Sequence, residues 1–191
     1  MKKLIVAAAI VCAAAISQAA TVSWSMSSLQ NYKGETLTTG AAYVFCTKGS
    51  SSTSVDAVTT ALSAITSASA LEAYLTDNSL SALTGAVAAN GSVSVSGVDL
   101  ATSGVPESTT GVKLFAVIVD DADFGNDVKY VVTAASSNVK TPAAGTSNNA
   151  GFTIPGSASQ TASNWQSVPE PTSGLLMLIG MAGLALRRRR A

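Results

Sequence analysis

Histidine is absent from the 191 residues of this chain. Its absence removes the usual general base, the side chain that titrates near neutral pH and the commonest metal ligand together. Cysteine is nearly absent as well. Cys12 lies in an apolar leader and Cys46 in the body, so a chain trimmed of its leader holds one thiol and no internal disulfide. Cations are scarce where a nucleic-acid binder would need them. Between Ala20 and Pro169 they are Lys33, Lys48, Lys113, Lys129 and Lys140, against ten acids running from Glu35 to Asp127. A body near −5 repels phosphate backbones, which argues against nucleic acid as a partner. No apolar run reaches the roughly 20 residues of a full membrane span. The formal net charge of zero hides a segregation: Lys2 and Lys3 stand at one end and Arg187, Arg188, Arg189 and Arg190 at the other.

The two ends carry the clearest patterns. Met1-Lys2-Lys3 is a positive start, and Leu4 to Ile16 is an unbroken apolar stretch, short for a span and suited to the core of a secretion signal. Ser17-Gln18-Ala19 then offers small side chains at the −3 and −1 positions of a signal-peptidase site. Cleavage is expected between Ala19 and Ala20. Val11 before Cys12, with apolar residues continuing beyond it, excludes a lipoprotein leader.

At the other end, Val168-Pro169-Glu170-Pro171 and Thr172-Ser173-Gly174 precede an apolar run from Leu175 to Leu186, closed by the four arginines and Ala191. Consecutive arginines stay on the cytoplasmic side of a bilayer. A short transmembrane helix pinned in this way presents its upstream end outside, which places Pro169, Glu170 and Pro171 at the outer membrane boundary. Each proline disfavours helix in the residue before it, so the motif is expected to be extended. Gly180 and Gly183 would permit close helix packing.

This order of elements resembles the PEP-CTERM sorting domain, over about residues 168 to 191 and no others. The resemblance implies a bacterium of Gram-negative type that also makes an exopolysaccharide. It further implies recognition by an exosortase, a membrane enzyme. On the matching positions, Pro169, Glu170 and Pro171 are the recognition motif and Arg187 to Arg190 the stop-transfer charge. These are features of a substrate, not of a catalyst. The Leu-Pro-x-Thr-Gly motif of a Gram-positive sortase substrate is absent.

Between the ends, Thr21 to Met26 alternates Val22, Trp24 and Met26 with small polar residues, the pattern of a strand buried on one face. Ala41 to Thr47 is a second strand. Ser54 is placed as an N-cap before the stripe Val55, Val58, Leu62 and Ile65, and Ser69 with Glu72 has capping-box spacing for a second helix. Val93 and Val95 restore a period of two. Val112 to Val119 is almost continuously apolar, as in a strand covered on both faces. Val128 to Ala134 returns after the loop 120–127 as a hairpin, and Phe152 with Ile154 suggests a last strand. The expected fold is α+β and mainly β, a small antiparallel sheet or sandwich with a helical insertion. It is flanked by a signal-peptide helix and a short C-terminal transmembrane helix. The expected divisions are 1–19 for the signal peptide, 20–155 for an extracytoplasmic domain, 156–167 for a flexible stalk and 168–191 for the sorting segment.

Four features of the body invite a chemical role. The loop Asp120-Asp121-Ala122-Asp123-Phe124-Gly125-Asn126-Asp127 concentrates oxygen ligands, with Asp121, Asp123 and Asp127 as a calcium candidate. Gly125 stands where a further ligand would be needed and no Glu closes the loop, so a solvated turn is favoured. Cys46, with Lys48 two positions along, lacks a histidine partner and reads as a core residue. Trp24 also reads as core, and Trp165 as a residue of the stalk near the membrane interface. No pair among the ten acids is singled out for glycoside hydrolysis. The functional expectation is an exported cell-surface or matrix protein with a non-catalytic body, serving adhesion, matrix structure or exopolysaccharide contact, without cofactors. The alternative is an extracytoplasmic carbohydrate-active enzyme bearing the same tail. Its partners would be the secretion machinery, the exosortase and, through the C-terminal helix, the membrane.

Overall fold

The computed structural model describes residues 19–125, 127–143, 148–156 and 162–168. The expected signal and transmembrane helices lie outside these residues. Among the described residues, no helix is long and apolar enough to cross a membrane.

The fold is mainly β, with two sheets and a small helical layer. Strand β1, Thr21–Met26, alternates as its sequence requires, burying Val22, Trp24 and Met26. It is the centre of a three-stranded sheet, between β4, Val93–Asp99, and β7, Asn149–Thr153. The second sheet has five strands in the order β3-β2-β5-β6-β8. Here β2 is Ala41–Cys46, β3 Gly85–Ala86, β5 Leu114–Val119, β6 Lys129–Val132 and β8 Gln166–Ser167. Its neighbours are all antiparallel. The three-stranded sheet departs from the all-antiparallel expectation, because β7 runs parallel to β1, with Val22 opposite Ala150 and Trp24 opposite Phe152. A parallel partner needs a crossover, and here the whole chain from β2 to β6, helices included, lies in it.

Alternation in β2 and β5 divides the core in two. Ala42, Val44, Cys46, Leu114, Ala116 and Ile118 face the other sheet and meet Val22, Trp24, Met26 and Phe152. Phe45, Phe115, Val117 and Val119 face the opposite way and are covered by Val58 and Leu62 of helix α1, Val55–Ser63, and Leu71 and Leu75 of helix α2, Ala68–Asn78. Every residue of β5 is therefore buried. Each large aliphatic side chain placed there contributes about 1.5–3 kcal/mol of hydrophobic stabilisation.

Local chemistry fixes the helix ends. Ser54 accepts from the Ala57 N–H at 3.0 Å, as its position suggests. The cap of α2 is Ser67 rather than Ser69, and it accepts from the Ala70 N–H at 3.2 Å. Either serine has the required side chain; Ser67 alone has extended backbone there, and Ser69 is already helical. A third helix, α3, Leu100–Ser103, is one turn that ends at Gly104 with φ of 78°.

The stalk expectation over 156–167 falls partly outside the described residues, and the described part past β7 does not leave the body. Residues 162–168 return to the five-stranded sheet, where Gln166–Ser167 becomes its edge strand β8 against β6. Trp165 is 9% exposed and belongs to the core between the sheets, and Val168 is buried on the helix side. Burial of an indole and a valine outweighs the polar composition around them.

Candidate functional site

The acidic loop joins β5 to β6 and is built as a self-satisfied turn. Asp121 accepts through Oδ1 from the Asp123 N–H and through Oδ2 from the Gly125 N–H, both at 3.0 Å. Asp120 accepts from the Lys129 N–H at 2.7 Å, and partial burial holds its carboxyl above the ordinary range. Asp127 pairs with the Lys129 ammonium at 2.9 Å, and that ammonium lies 4.3 Å from the centre of the Tyr32 ring. Of the candidate trio, the Asp121 carboxylate is thus held by backbone N–H groups and the Asp127 carboxylate by a lysine. Among the described residues, no group of three or more His, Cys, Asp or Glu is placed to hold a metal ion.

Cys46 is buried at the end of β2, and burial pushes its thiol above the usual value. Lys48 lies beyond the strand, its ammonium bonded to the Thr110 carbonyl at 2.7 Å. Trp24 is core, as its alternation implies, and its Nε1–H donates to the Leu83 carbonyl at 2.8 Å. Trp165 is core too, contrary to its expected place at a membrane interface, and its Nε1 has no hydrogen-bond partner among the described residues.

The most extensive chemical surface is one the sequence did not single out. The alternation that buries Val22, Trp24 and Met26 points Thr21, Ser23 and Ser25 outward, and the strand register aligns them with small or polar residues of the neighbouring strands. Ser25 stands between Ser94 and Thr153, Ser23 beside Gly151, and Thr21 between Asp99 and Asn149. A register shift between Val22 and Trp24 marks a bulge, at which the Gly97 N–H reaches the Ser23 hydroxyl at 3.1 Å. The Asn149 side-chain oxygen accepts from Thr21 and Ser23 at 3.1 and 3.0 Å. The outer face is consequently polar, with hydroxyls at Thr21, Ser23, Ser25, Ser94 and Thr153, and Asp99 is the one titratable residue in these rows.

At one end this face deepens into a cavity of about 390 Å³. Its rim carries the hydroxyls of Ser25, Ser27, Ser28, Ser94 and Thr153, which find no partner among the described residues. Met26, Val93 and Ile154 lie beneath it as buried members of the core. A second cleft, about 270 Å³, lies between α2 and the segment after β2, where Tyr74, Asp77 and Asn78 face Ser52 and Thr53.

At the leader junction, Ala19 is exposed, Ala20 is buried, and the Ala20 carbonyl accepts from the Leu100 N–H at 2.7 Å. Ser17 lies outside the described residues, as do Pro169, Glu170, Pro171 and Arg187 to Arg190. Val168 is described and held: its N–H donates to the Val128 carbonyl at 3.4 Å.

Residues 167–190 match the family described as the PEP-CTERM protein-sorting motif. No curated protein and no solved structure matches the chain. The motif indicates an exported, envelope-associated protein that an exosortase sorts.

Proposed function

From a chain that ends in a PEP-CTERM sorting motif, we propose a non-catalytic surface or matrix protein whose body contacts a neutral polysaccharide through its three-stranded sheet. The tail brings the body to the cell envelope by way of a single-pass membrane intermediate, and the exosortase then processes it at Pro169-Glu170-Pro171.

The observation that carries the polysaccharide role is the aligned hydroxyl face with its cavity. Hydroxyls both donate and accept, as sugar hydroxyls do. Residues within a row stand at the strand spacing of about 4.8 Å and neighbouring rows about 6.6 Å apart along the strand, so a repeating polymer can meet several positions at once. The hydroxyl rim suits the polar edge of a sugar ring. The cavity volume falls within the range of small-ligand sites, roughly 300–1,000 Å³. Cations are absent from the rows, which favours a neutral polymer over an anionic one. A single hydrogen bond contributes about 0.5–1.5 kcal/mol, so useful affinity comes from many repeats together.

Affinity electrophoresis of the mature protein in gels containing neutral or acidic matrix polysaccharide tests the body. Retardation by the neutral polymer, lost in Ser25→Ala/Ser94→Ala/Thr153→Val without a change in thermal midpoint, is the expected result. Equal mobility of wild type and variant in every gel would refute it. For the tail, mass spectrometry of the C-terminus with and without the host's exosortase is decisive. Chains ending at Ala191 in both would exclude processing.

A further inference from the structure

We infer that the edge strand β8 is a clasp that must open before the sorting motif can be processed. This rests on the exosortase reading above. The last residues before Pro169 are part of the folded body. Gln166 and Ser167 pair with Tyr130 and Lys129 of β6, the Tyr130 hydroxyl donates to Gln166 Oε1 at 2.8 Å, and Val168 bonds back to Val128. Two anchors sit on opposite sides of the sheet: Trp165 between the two sheets and Val168 beneath the helices.

An enzyme that cuts within or beside Pro169-Glu170-Pro171 must grip residues on both sides of the bond in an extended, unpaired form. The Val168 N–H is already hydrogen-bonded to another strand and Gln166 and Ser167 are paired with it, and a backbone N–H so engaged cannot also donate to an enzyme cleft. Reach does not relieve the conflict. Six residues, 169 to 174, separate Val168 from the apolar run at Leu175, and fully extended they span at most about 20 Å. A membrane-embedded enzyme at the bilayer surface therefore meets the sheet edge itself.

The clasp is suited to local opening. β8 is two residues long, lies at the edge of its sheet and has one strand partner. Edge segments of this kind open without global unfolding. The Trp165 Nε1, without a partner among the described residues when docked, gains a hydrogen bond to water on release. Processing would then proceed at a rate proportional to the fraction of open clasp, and the body would keep β8 after the tail is removed.

A cross-strand lock tests this directly. Lys129 and Ser167 are directly opposed, and the bond between Val168 N–H and Val128 makes theirs the close, non-hydrogen-bonded kind of pair. Full-length Lys129→Cys/Ser167→Cys, oxidised after folding, is presented to membranes containing the exosortase, and loss of the tail is followed by mass spectrometry. The lock is expected to stop processing, and dithiothreitol to restore it; Cys46 is buried and stays out of the exchange. In the opposite direction, Tyr130→Phe removes the bond to Gln166 and is expected to speed processing about two- to tenfold. Processing of the oxidised lock at the wild-type rate would overturn the clasp and leave the sorting reading intact. Failure of the wild-type chain to be processed by the same membranes overturns both.

Discussion

Trp24 and Leu83 join the two sheets: the indole Nε1–H of β1 donates at 2.8 Å to the carbonyl at the end of the short turn 81–83 that leads into β3. The bond is buried, so its loss would leave the Leu83 carbonyl without a donor. Trp165 enters the same core with no partner for its Nε1 among the described residues. The two indoles therefore form an internal comparison.

Trp24→Phe and Trp165→Phe remove the same ring fragment but only one hydrogen bond. Trp24→Phe is expected to cost about 1 kcal/mol more than Trp165→Phe in urea unfolding, the net contribution of one buried bond. Equal midpoints would mean that the Trp24 bond adds nothing to stability.

Alkaline pH should unfold the protein. Burial raises the Cys46 thiol and the Tyr43, Tyr74 and Tyr130 phenols above their ordinary values, with the charge of Glu72 adding to the effect at Tyr43. The folded state thus holds these protons more tightly than the unfolded chain. Their stabilising contribution is complete below the unfolded values, roughly pH 8.5 for Cys and 10 for Tyr, and declines as pH rises through the folded ones. Thermal midpoints should fall steadily above about pH 9, and less steeply in Cys46→Ala. A flat profile to pH 11 would contradict the burial of these groups.

Gly40 and Gly151 should respond in opposite ways to alanine. At Gly40, with φ of 114°, a Cβ would lie 2.1 Å from the Val119 carbonyl oxygen, which is backbone and cannot move aside. Gly40→Ala should cost more than about 3 kcal/mol or prevent folding. At Gly151 a Cβ meets nothing within 4 Å. Gly151→Ala should therefore change stability by no more than about 0.5 kcal/mol. A circular-dichroism melt of each variant decides the point.

Legibility in the sequence follows how local the governing physics is. Val22, Trp24 and Met26 announce β1 because one face of the strand is buried, and the run through Val119 announces β5 because both faces are. Ser54 can be read as a cap because it is the last of the run 50–54 and stands directly before the apolar stripe that begins at Val55. Ser67 and Ser69 compete, and backbone conformation decides between them. The parallel pairing of β1 with β7 has no local signature, since strand direction is set by the whole crossover. β8 is two residues long and shows no period at all, so Trp165 and Val168 were masked by polar neighbours. The hydroxyl face is a case of the same kind. Each strand carries its own serines or threonines, but the rows exist only once residues from 21–25, 94–99 and 149–153 are side by side.

The pairing of β1 with β7 has a temporal consequence for a polypeptide that crosses a membrane N-terminus first. The earliest strand to emerge finds its parallel neighbour only when Asn149 to Thr153 have followed it, more than 120 positions later. Until then Phe152 cannot cover Trp24, and long-range closure of this sort is slow. Export and folding are thereby separated in time: the sheet closes only after most of the protein is already on the far side.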